Sequence, residues 1–291
     1  MSLGSVLQTA LTGLAAAEAV LDVTANNLAN WRTAGFKAGR AAFATQTPQT
    51  QSLGAAPSGG NGGTNPIQIG SGVELAQASA DFSQGQIALD PDPASLALQG
   101  DGLFILEGPQ GGRLYTRNGQ FQLNADHELI ASGGQRVMGF GVDENFQLGT
   151  GQLRPLRIPL GNQVAGAGGS TATCLGFEIT SGGRIRGRFS DGVLRDLGQI
   201  RVARFANPSG LQARGDNVYA EAPNSGLPVE SDPGEAGAAE VTPGAVELSN
   251  TDVGQSLVDL QQASIQFRAN LETLRITDRL FEELLSMRRT G

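Results

Sequence analysis

The stretch DVTANNLANWRTAGFK, Asp22–Lys37, decides where the first helix of this chain ends. It places Asn26, Asn27 and Asn30 close together, at a point where a helix would otherwise continue. Asparagine suits a helix interior poorly, because its side chain competes with the helix for backbone hydrogen bonds. Gly35 follows, so the stretch predicts a helix end and an exit turn near the start of the chain.

A helix is predicted on the N-terminal side of this stretch, over residues 3–30. Leucines recur every seven residues, with small residues between them at three-four spacing: Leu7, Leu14, Leu21 and Leu28, with Ala10, Ala17 and Thr24. This spacing is typical of the a/d seam of a coiled coil. Because the small positions are weakly apolar, periodicity alone leaves open an amphipathic helix packed on its own globular core.

A second and longer heptad pattern runs from about Thr251 to about Arg288. Its apolar positions, broken at Ser264 and Asp278, are Val253, Leu257, Leu260, Phe267, Leu271, Leu274, Phe281 and Leu285. A helix of ~38 residues would be ~57 Å long, which is far longer than an ordinary globular helix. Asn250 or Thr251 is expected to cap its start. Since neither seam can bury itself alone, we expect the two terminal helices to pair.

The chain between the helices changes character twice. Residues 45–72 are rich in Gly, Ser, Thr, Pro and Asn, have little to bury, and predict a linker. Residues 73–249 read as short strands with turns, and Asn118-Gly119 is a hairpin signal.

The predicted fold class is α+β: a β-rich, antiparallel central domain flanked by N- and C-terminal helices that pair as a coiled coil. The predicted domains are an N-terminal helix with its exit turn (1–44), a linker (45–72), a β-rich inner domain (73–249) and a C-terminal helix (250–291).

Composition and single residues argue against several classes of function. The formal net charge is −8, whereas a free nucleic-acid binder would be basic, so no nucleic-acid partner is expected. Cys174 is the only cysteine, which excludes an intrachain disulfide and a metal site of several cysteines. We expect Cys174 as a buried or half-buried thiol and His127 as an exposed turn residue. The sequence contains no P-loop and no G-x-S-x-G elbow, so we expect no enzyme and no catalytic, cofactor-binding or metal-binding residue.

The N-terminal residues bear on export and on membranes. Residues 1–31 contain no Lys or Arg, so the basic region of a Sec signal peptide is missing. Glu18 and Asp22 interrupt what would be its apolar core. No apolar run approaches the length of a membrane span, so no membrane insertion is expected. The chain is expected to stay in the cytoplasm or to leave by a route that does not use that signal.

The segment ANNLANWRTAGFK, after a heptad helix that starts almost at residue 1, resembles the N-terminal signature of the bacterial flagellar rod and hook proteins. Further segments resemble the same family in the same order: LALQGDGLFIL, YTRNGQFQLNADHELIASGGQRVMGF, LGQIRVARFANPSGL, and VELSNTDV with the heptad helix after it. Together these segments span most of the chain. The resemblance therefore rests on several ordered motifs rather than on one.

Within the family, several details are hook-like. VMGFGVDENFQLGTGQLRPLRIPLG and ITSGGRIRGRFSDGVLRDLGQIRVARFANPSGL resemble the hook protein around its inner β domain. Hook proteins usually carry an outer domain between these two blocks, whereas here the short connector 161–174 stands there. The resemblance thus implies a hook subunit without its outer domain, and a distal rod protein of the basal body, which has a similar length, is the alternative.

This resemblance implies a structural subunit that polymerises into a tubular, torque-transmitting axial structure through its terminal helices. The implied assembly residues are the four leucines of the first helix and the apolar positions of the second helix named above, together with Asn26, Asn27, Asn30, Gly35 and Phe36. The implied partners are other copies of the chain, adjacent flagellar axial proteins, and the flagellar type III export machinery and cap. The implied location is the bacterial flagellum, in the hook or basal body, and no cofactor is implied.

An alternative from another class is a secreted β-rich binding module, such as an adhesin, that its helices trimerise. An adhesin would carry its coiled coil on one side of the head. Here the two seams bracket the β region, and this order favours the axial subunit.

Overall fold

The computed structural model describes residues 3–57, 59–60, 62–108, 111–143, 146–149, 151–165, 171–235 and 237–290. The chain forms two compact units. The helical unit comprises Met1–Ala29, Gly39–Ala80 and Asp252–Gly291, and the β unit comprises Asn30–Ala38 and Asp81–Thr251. Helices at both ends and antiparallel strands between them confirm the predicted α+β class.

Two helices that pack along each other form the base of the helical unit: α1 (Leu3–Ala29) and α2 (Val253–Thr290). They run antiparallel, because Ser5 and Gly13 of α1 lie near Thr273 and Asn270 of α2, and the buried row of α2 extends back from there towards its start. The predicted pairing of the terminal helices is therefore confirmed.

Small and polar residues line the seam between the helices. Its buried and half-buried members are Ala10, Ala17 and Thr24 on α1, and Ser256, Ala263, Asn270 and Thr277 on α2. A Cβ atom added to Gly13 would lie 2.7 Å from Nδ2 of Asn270, so the two helices approach closely at this level. Short side chains permit this approach, but they bury little apolar surface.

A long two-stranded hairpin completes the helical unit, with strands β1 (Gly39–Thr45), β2 (Gln49–Ser52), β3 (Ile67–Ile69) and β4 (Val73–Ala80). β1 pairs with β4 and β2 with β3, and a bridge between Ala55 and Thr64 continues the antiparallel pairing towards the tip. The Val73 amide donates a hydrogen bond to Thr12 Oγ1 of α1 (3.3 Å). The segment 45–72, expected to be a linker, thus contains β2 and β3.

Strands in the described part of the β unit are short. They are β5 (Ile87–Leu89), β6 (Leu96–Gln99), β7 (Leu103–Glu107), β8 (Arg113–Thr116), β9 (Gln122–Leu123), β10 (Leu129–Ile130), β11 (Met138–Gly141), β12 (Arg154–Pro155), β13 (Gln163–Ala165), β14 (Thr171–Ile179), β15 (Arg184–Phe189), β16 (Leu194–Ile200), β17 (Val202–Arg204), β18 (Gln212–Gly215), β19 (Val218–Ala220), β20 (Val229–Ser231), β21 (Glu240–Pro243) and β22 (Ala245–Glu247). A 3-10 turn, Pro208–Gly210, precedes β18.

Two six-stranded antiparallel sheets organise these strands. Sheet A has the order β12-β11-β16-β15-β14-β13, and sheet B has the order β18-β19-β8-β7-β17-β20. The pairs β5–β22, β6–β21 and β9–β10 accompany them. The main core includes Phe104, Phe121 and Phe189, and a smaller core includes Tyr115 packed edge-on against Phe205, with ring centroids 4.8 Å apart.

The connector 161–174, expected between two hook-like blocks, is partly strand. β13 and β14 within and beside it pair antiparallel, and residues 166–170 lie outside the described residues. Cys174 is buried, as predicted, and burial raises the pKa of its thiol. His127 lies in a turn with φ 61°, but it is half-buried rather than exposed, because its carbonyl accepts a hydrogen bond from the Ile158 amide (2.7 Å).

One helix corrects the expectation that no apolar run reaches the length of a membrane span. Residues Gly4–Ala29 are long and apolar enough to cross a membrane by length and composition. Helices packed inside proteins pass the same test, and Ala10 and Ala17 of this helix are buried in the pairing with α2. Length and composition alone therefore assign it no membrane role.

Candidate assembly site: the exit segment and the terminal helices

Asn27 joins the place where the chain leaves the helical unit to the place where it returns. The Gly39 amide donates to Asn27 Oδ1 (2.7 Å), and Asn27 Nδ2 donates to the Gly39 carbonyl (2.9 Å). The side chain of Asn27 is 8% exposed. An amide side chain supplies the donor and the acceptor that this paired contact needs. One of the three crowded asparagines therefore acts as a clamp across residues 28–38.

The exit segment, residues 30–38, makes two successive turns and belongs to the β unit. The Thr33 amide donates to the Asn30 carbonyl (3.0 Å), and the Phe36 amide donates to the Thr33 carbonyl (3.3 Å). Thr33 Oγ1 also donates to Asn30 Oδ1 (3.3 Å). Asn30 and Phe36 are half-buried and Asn26 is exposed. Asn30 thus closes the first turn after α1, a role that suits its short polar side chain.

The second turn requires a glycine at position 35 for two reasons. Its φ is 67°, in the left-handed region, and a Cβ atom at this position would lie 2.4 Å from the Asn118 backbone nitrogen. Its amide donates to the Glu247 carbonyl (2.8 Å), while Asn217 Nδ2 donates to the Ala34 carbonyl (3.0 Å). The exit segment is therefore held against the β unit on both sides of Gly35.

Lys37, the only lysine of the chain, lies in a buried ion cluster with Glu247 and Arg117. Lys37 Nζ donates to Glu247 Oε1 (2.7 Å) and to the Ser83 carbonyl (2.8 Å). Arg117 Nε donates to Glu247 Oε2, and the Gly85 amide donates to Glu247 Oε1 (2.8 Å). The three charged side chains are 1%, 0% and 5% exposed for Lys37, Glu247 and Arg117. One carboxylate thus balances two buried cations.

The guanidinium of Arg117 bonds to backbone oxygens in addition to Glu247. It donates to the carbonyls of Gly102 (2.5 Å) and Leu98 (2.7 Å). Burial lowers the pKa of the Lys37 ammonium, and the Glu247 carboxylate opposes that shift. Since the three charged groups bond to one another and to backbone oxygens, the cluster fixes the exit segment within the β unit.

Asn250 ties the exit segment to the chain that follows β4. Asn250 Oδ1 accepts from the Ala38 amide (2.8 Å), and Asn250 Nδ2 donates to the carbonyls of Asp81 (2.8 Å) and Ser83 (3.1 Å). The Asp81 amide donates in turn to the Ala38 carbonyl (2.8 Å). The contacts of this one side chain thus join three segments of the β unit.

The expected cap of α2 by Asn250 or Thr251 is wrong. Asp252 occupies the capping position, because its Oδ1 accepts from the Gln255 amide (3.1 Å) and its carbonyl accepts from the Ser256 amide (2.9 Å). Asn250 is engaged with the exit segment instead.

The heptads predicted two rows of apolar residues on α2. The row that packs against α1 lies one residue before the predicted row that contains Leu257 and Leu271. The expected row included Leu257 and Leu271, whereas the row buried against α1 is Ser256, Ala263, Asn270 and Thr277. Leu257 is 51% exposed and Leu271 is half-buried. The expectation followed apolar residue types, but the close approach of the helices selects small side chains and leaves larger ones outside.

The other seam residues divide between half-buried and exposed. The half-buried ones are Leu7, Leu14, Leu21, Leu28, Val253, Leu260, Phe267 and Leu274. Phe281 and Leu285 are exposed at 39% and 59%, in the part of α2 that extends past the start of α1. α2 has 38 residues and α1 has 27, so the last turns of α2 have no partner helix among the residues that the structure describes.

Sequence reasoning missed Lys37, Arg117, Glu247 and Asn250 as parts of the site. The available signal was that lysine occurs once, at the end of the exit segment. In the described part of the chain, no group of three His, Cys, Asp or Glu residues is placed to hold a metal ion.

Two family models match the segments that build this geometry. The model of the flagella basal body rod protein matches residues 7–37, which include the exit segment up to Lys37. The model of the flagellar hook protein FlgE/F/G D1 domain matches residues 97–185. The chain is 30% identical to the flagellar basal-body rod protein FlgG of Bacillus subtilis (strain 168), over 97% of this chain and 98% of that protein. The chain belongs to the flagellar rod and hook protein family.

Other relatives agree with this family. The flagellar basal-body rod protein FlgG of Agrobacterium fabrum (strain C58 / ATCC 33970) is 30% identical over 94% of this chain and 95% of that protein. The flagellar hook protein FlgE of Borreliella burgdorferi is 24% identical over 97% of this chain and 99% of that protein. Family membership confirms the resemblance drawn from the ordered motifs, and it makes the chain a structural subunit of the flagellar axis.

Proposed function

We propose that this chain is a subunit of the rod of the flagellar basal body, with the hook as the alternative. The rod relative of Bacillus subtilis matches it nearly end to end over 284 residues. The alignment with the hook relative runs over 439 residues, far more than the 291 of this chain. The chain has the length of the rod relative, which supports the rod over the hook that the local motifs favoured.

The outward apolar row of α2 is the observation that carries this proposal. At about 100° per residue, Val258 and Ile265 lie on the side of α2 opposite the seam with α1, and Ile276 and Met287 continue the same row towards the end of the helix. These side chains are 48%, 61%, 49% and 62% exposed. A row of this kind in a helix that already has one partner suits the packing of further helices. We therefore propose that other copies of the chain cover it, as the inner coiled-coil layer of a tube.

The arrangement of the chain supports an open polymer. One row of α2 is covered by α1, and the row on its other side is different, so packing of that outer row against another part of a second copy would join unlike surfaces. Contacts of unlike surfaces that do not close on themselves produce a filament. The hairpin β1–β4 adds a second candidate contact, because Phe43 and Leu75 are register partners and are 36% and 49% exposed.

The weak packing between α1 and α2 bears on how the chain is exported and assembled. The small and polar residues between α1 and α2 bury little apolar surface, so the helices gain much of their stability when other copies pack against them. We propose that folding of the terminal helices is coupled to polymerisation after passage through the flagellar type III export machinery. Adjacent axial proteins and a cap would then be its other partners.

Electron microscopy of the concentrated protein tests the proposal, with the full chain compared with a chain that lacks 1–30 and 251–291. Straight tubes from the full chain and soluble monomers from the trimmed chain are the expected result. Curved tubes would move the assignment to the hook. Compact trimers from both the full and the trimmed chain would overturn the axial proposal in favour of a binding module.

A further inference from the structure

The outer face of sheet A carries a row of arginines on its central strand β15. Arg184, Arg186 and Arg188 alternate with Ile185 and the other buried residues of that strand, so the three arginines share the outer face. Such a row is unusual in a chain with a formal net charge of −8. Three neighbouring positive charges repel one another, so acidic groups are expected close to them.

Two of these arginines find acidic neighbours within the sheet. Asp196 of β16 lies 4.0 Å from Arg184 and 3.5 Å from Arg186, and Glu178 of β14 is the register partner of Arg186. Arg188 differs, because its register partners are Gly176 and Leu194. Among the described residues, no carboxylate forms an ion pair with Arg188.

Two exposed leucines flank Arg188. Leu194 is its register partner on β16 and is 53% exposed, and Leu175, next to its partner Gly176 on β14, is 65% exposed. Leu175, Arg188 and Leu194, here called the Arg188 patch, cross three strands and span about 10 Å. An arginine that lacks a counter-ion and lies between exposed apolar side chains matches the composition of a protein interface. Arginine is also common among the few interface residues that contribute most of the binding energy.

The chain itself contains a surface with the complementary chemistry. The acidic run Asp216–Glu247 contains acids and no Lys or Arg. Its exposed members Glu235 and Glu240 have no ion pair within the described part of the chain. Leu227 and Val229, in the middle of the same run, are 83% and 59% exposed. This run therefore offers carboxylates and apolar side chains together.

We propose that the Arg188 patch binds the acidic run of a second copy of this chain, around Leu227. The inference rests on the proposed axial polymer and assigns one of its contacts to the β unit. Because the patch and the run are different surfaces, the contact is head-to-tail and can repeat along a filament. Arg113 and Arg201 already pair with Glu230 and Asp232 of the run, so Glu235 and Glu240 are its carboxylates for the patch. Arg204, the register partner of Val229, donates from Nη1 to the Gly237 carbonyl (3.0 Å) and so links the strand after Leu227 to the segment that follows Glu235.

Charge reversal at Arg188 tests the patch. Arg188→Glu is expected to raise the critical concentration for tube formation about tenfold, which corresponds to ~1.4 kcal/mol per contact. Arg154→Glu is the matched control, since Arg154 is exposed on the edge strand β12 of the same sheet and gives the same change in charge. Equal effects of the two substitutions would overturn the proposal, because the patch would then act only through net charge.

Cysteine cross-linking tests the occupant in assembled tubes. The native Cys174 is buried, so introduced cysteines report alone under mild oxidation. A chain with both Leu194→Cys and Leu227→Cys is expected to give a ladder of covalent multimers, whereas each single variant gives none. Dimers from Leu194→Cys alone would show that the patch meets its own copy, and this result would overturn the assignment to the acidic run.

Failure of this inference and failure of the proposed function give different results. Normal tubes from Arg188→Glu, together with no ladder from the double cysteine variant, would reject the patch and leave the axial polymer standing. Absence of tubes from the unsubstituted chain would reject the axial polymer itself, and this contact with it.

Discussion

Lys37 and Glu247 are 210 residues apart in sequence, and Lys37 Nζ donates to Glu247 Oε1 at 2.7 Å in a site from which water is excluded. Arg117 shares the same carboxylate. The exit turn after α1 is therefore fixed to the strand that ends just before the residues leading into α2, within the β unit.

Removal of the shared carboxylate should cost more than removal of the lysine. Glu247→Gln leaves two buried cations without a counter-charge and should lower the free energy of unfolding by about 3–5 kcal/mol. Lys37→Met leaves the Arg117–Glu247 pair balanced and should cost about 1 kcal/mol. Urea unfolding followed by the emission of Trp31, the only tryptophan and a member of the exit segment, measures both. A larger loss for Lys37→Met would contradict the charge argument.

Gly35 should tolerate no side chain. Gly35→Ala meets the Asn118 backbone at 2.4 Å and a φ of 67°, so we expect a loss of about 3 kcal/mol or more. Gly134→Ala is the matched control, because Gly134 has a φ of 81° and open space around its Cβ position. It should lose only about 1 kcal/mol. Thermal unfolding of the two variants distinguishes the steric clash with Asn118 from the strain of a positive φ, because only Gly35→Ala has both. Equal losses in the free energy of unfolding would refute the clash.

The clamp at Asn27 should be specific among the crowded asparagines. Asn27→Ala removes both hydrogen bonds to Gly39 and should cost about 1–2 kcal/mol. Asn26→Ala, at an exposed position, should cost about 0.5 kcal/mol or less. Hydrogen exchange at the Gly39 amide reports the clamp directly. Fast exchange in Asn27→Ala with slow exchange in Asn26→Ala is expected, and the opposite order would refute the assignment.

Local patterns predicted the helices and the exit turn, but they did not predict the ion cluster. Heptad spacing and the step from asparagines to Gly35 act over a few residues, and both reach the correct elements. Lys37 and Glu247 lie at opposite ends of the β unit in sequence, and only the tertiary fold brings them together. Nothing in the neighbourhood of either residue signals the other, so a single sequence offers only the hint of a lone lysine.

The error in the α2 seam has a related physical origin. A heptad search weights leucine and phenylalanine, and it therefore selected Leu257 and Leu271. The row that packs against α1 instead contains Ala263 and Thr277, because small side chains allow the helices to approach. Apolar residues then remain on the outside, where periodicity cannot distinguish a contact within the chain from a contact between copies.

An outward position on α2 should govern assembly. Ile265→Asp places a charge in the exposed apolar row and should raise the critical concentration for tube formation at least about tenfold, ~1.4 kcal/mol per contact. The control Gln266→Asp changes the exposed residue next to it on another side of the helix. We expect a change below about twofold for the control, on the scale of an ordinary surface substitution. Light scattering of a dilution series measures both, and equal shifts would contradict packing through this row.

Alkaline pH should destabilise the β unit through Tyr219. Burial raises the pKa of its hydroxyl from 10.0 to about 12, so the folded chain holds this proton where the unfolded chain loses it. The associated stability is complete below pH 10 and is lost as the pH rises from 10 towards 12. Relative to Tyr219→Phe, which keeps the ring contact with Phe82, the unsubstituted chain should lose about 1 kcal/mol between pH 9 and pH 11. Urea unfolding at these pH values measures the difference, and parallel curves for the two chains would show that the hydroxyl ionises without cost in the folded state.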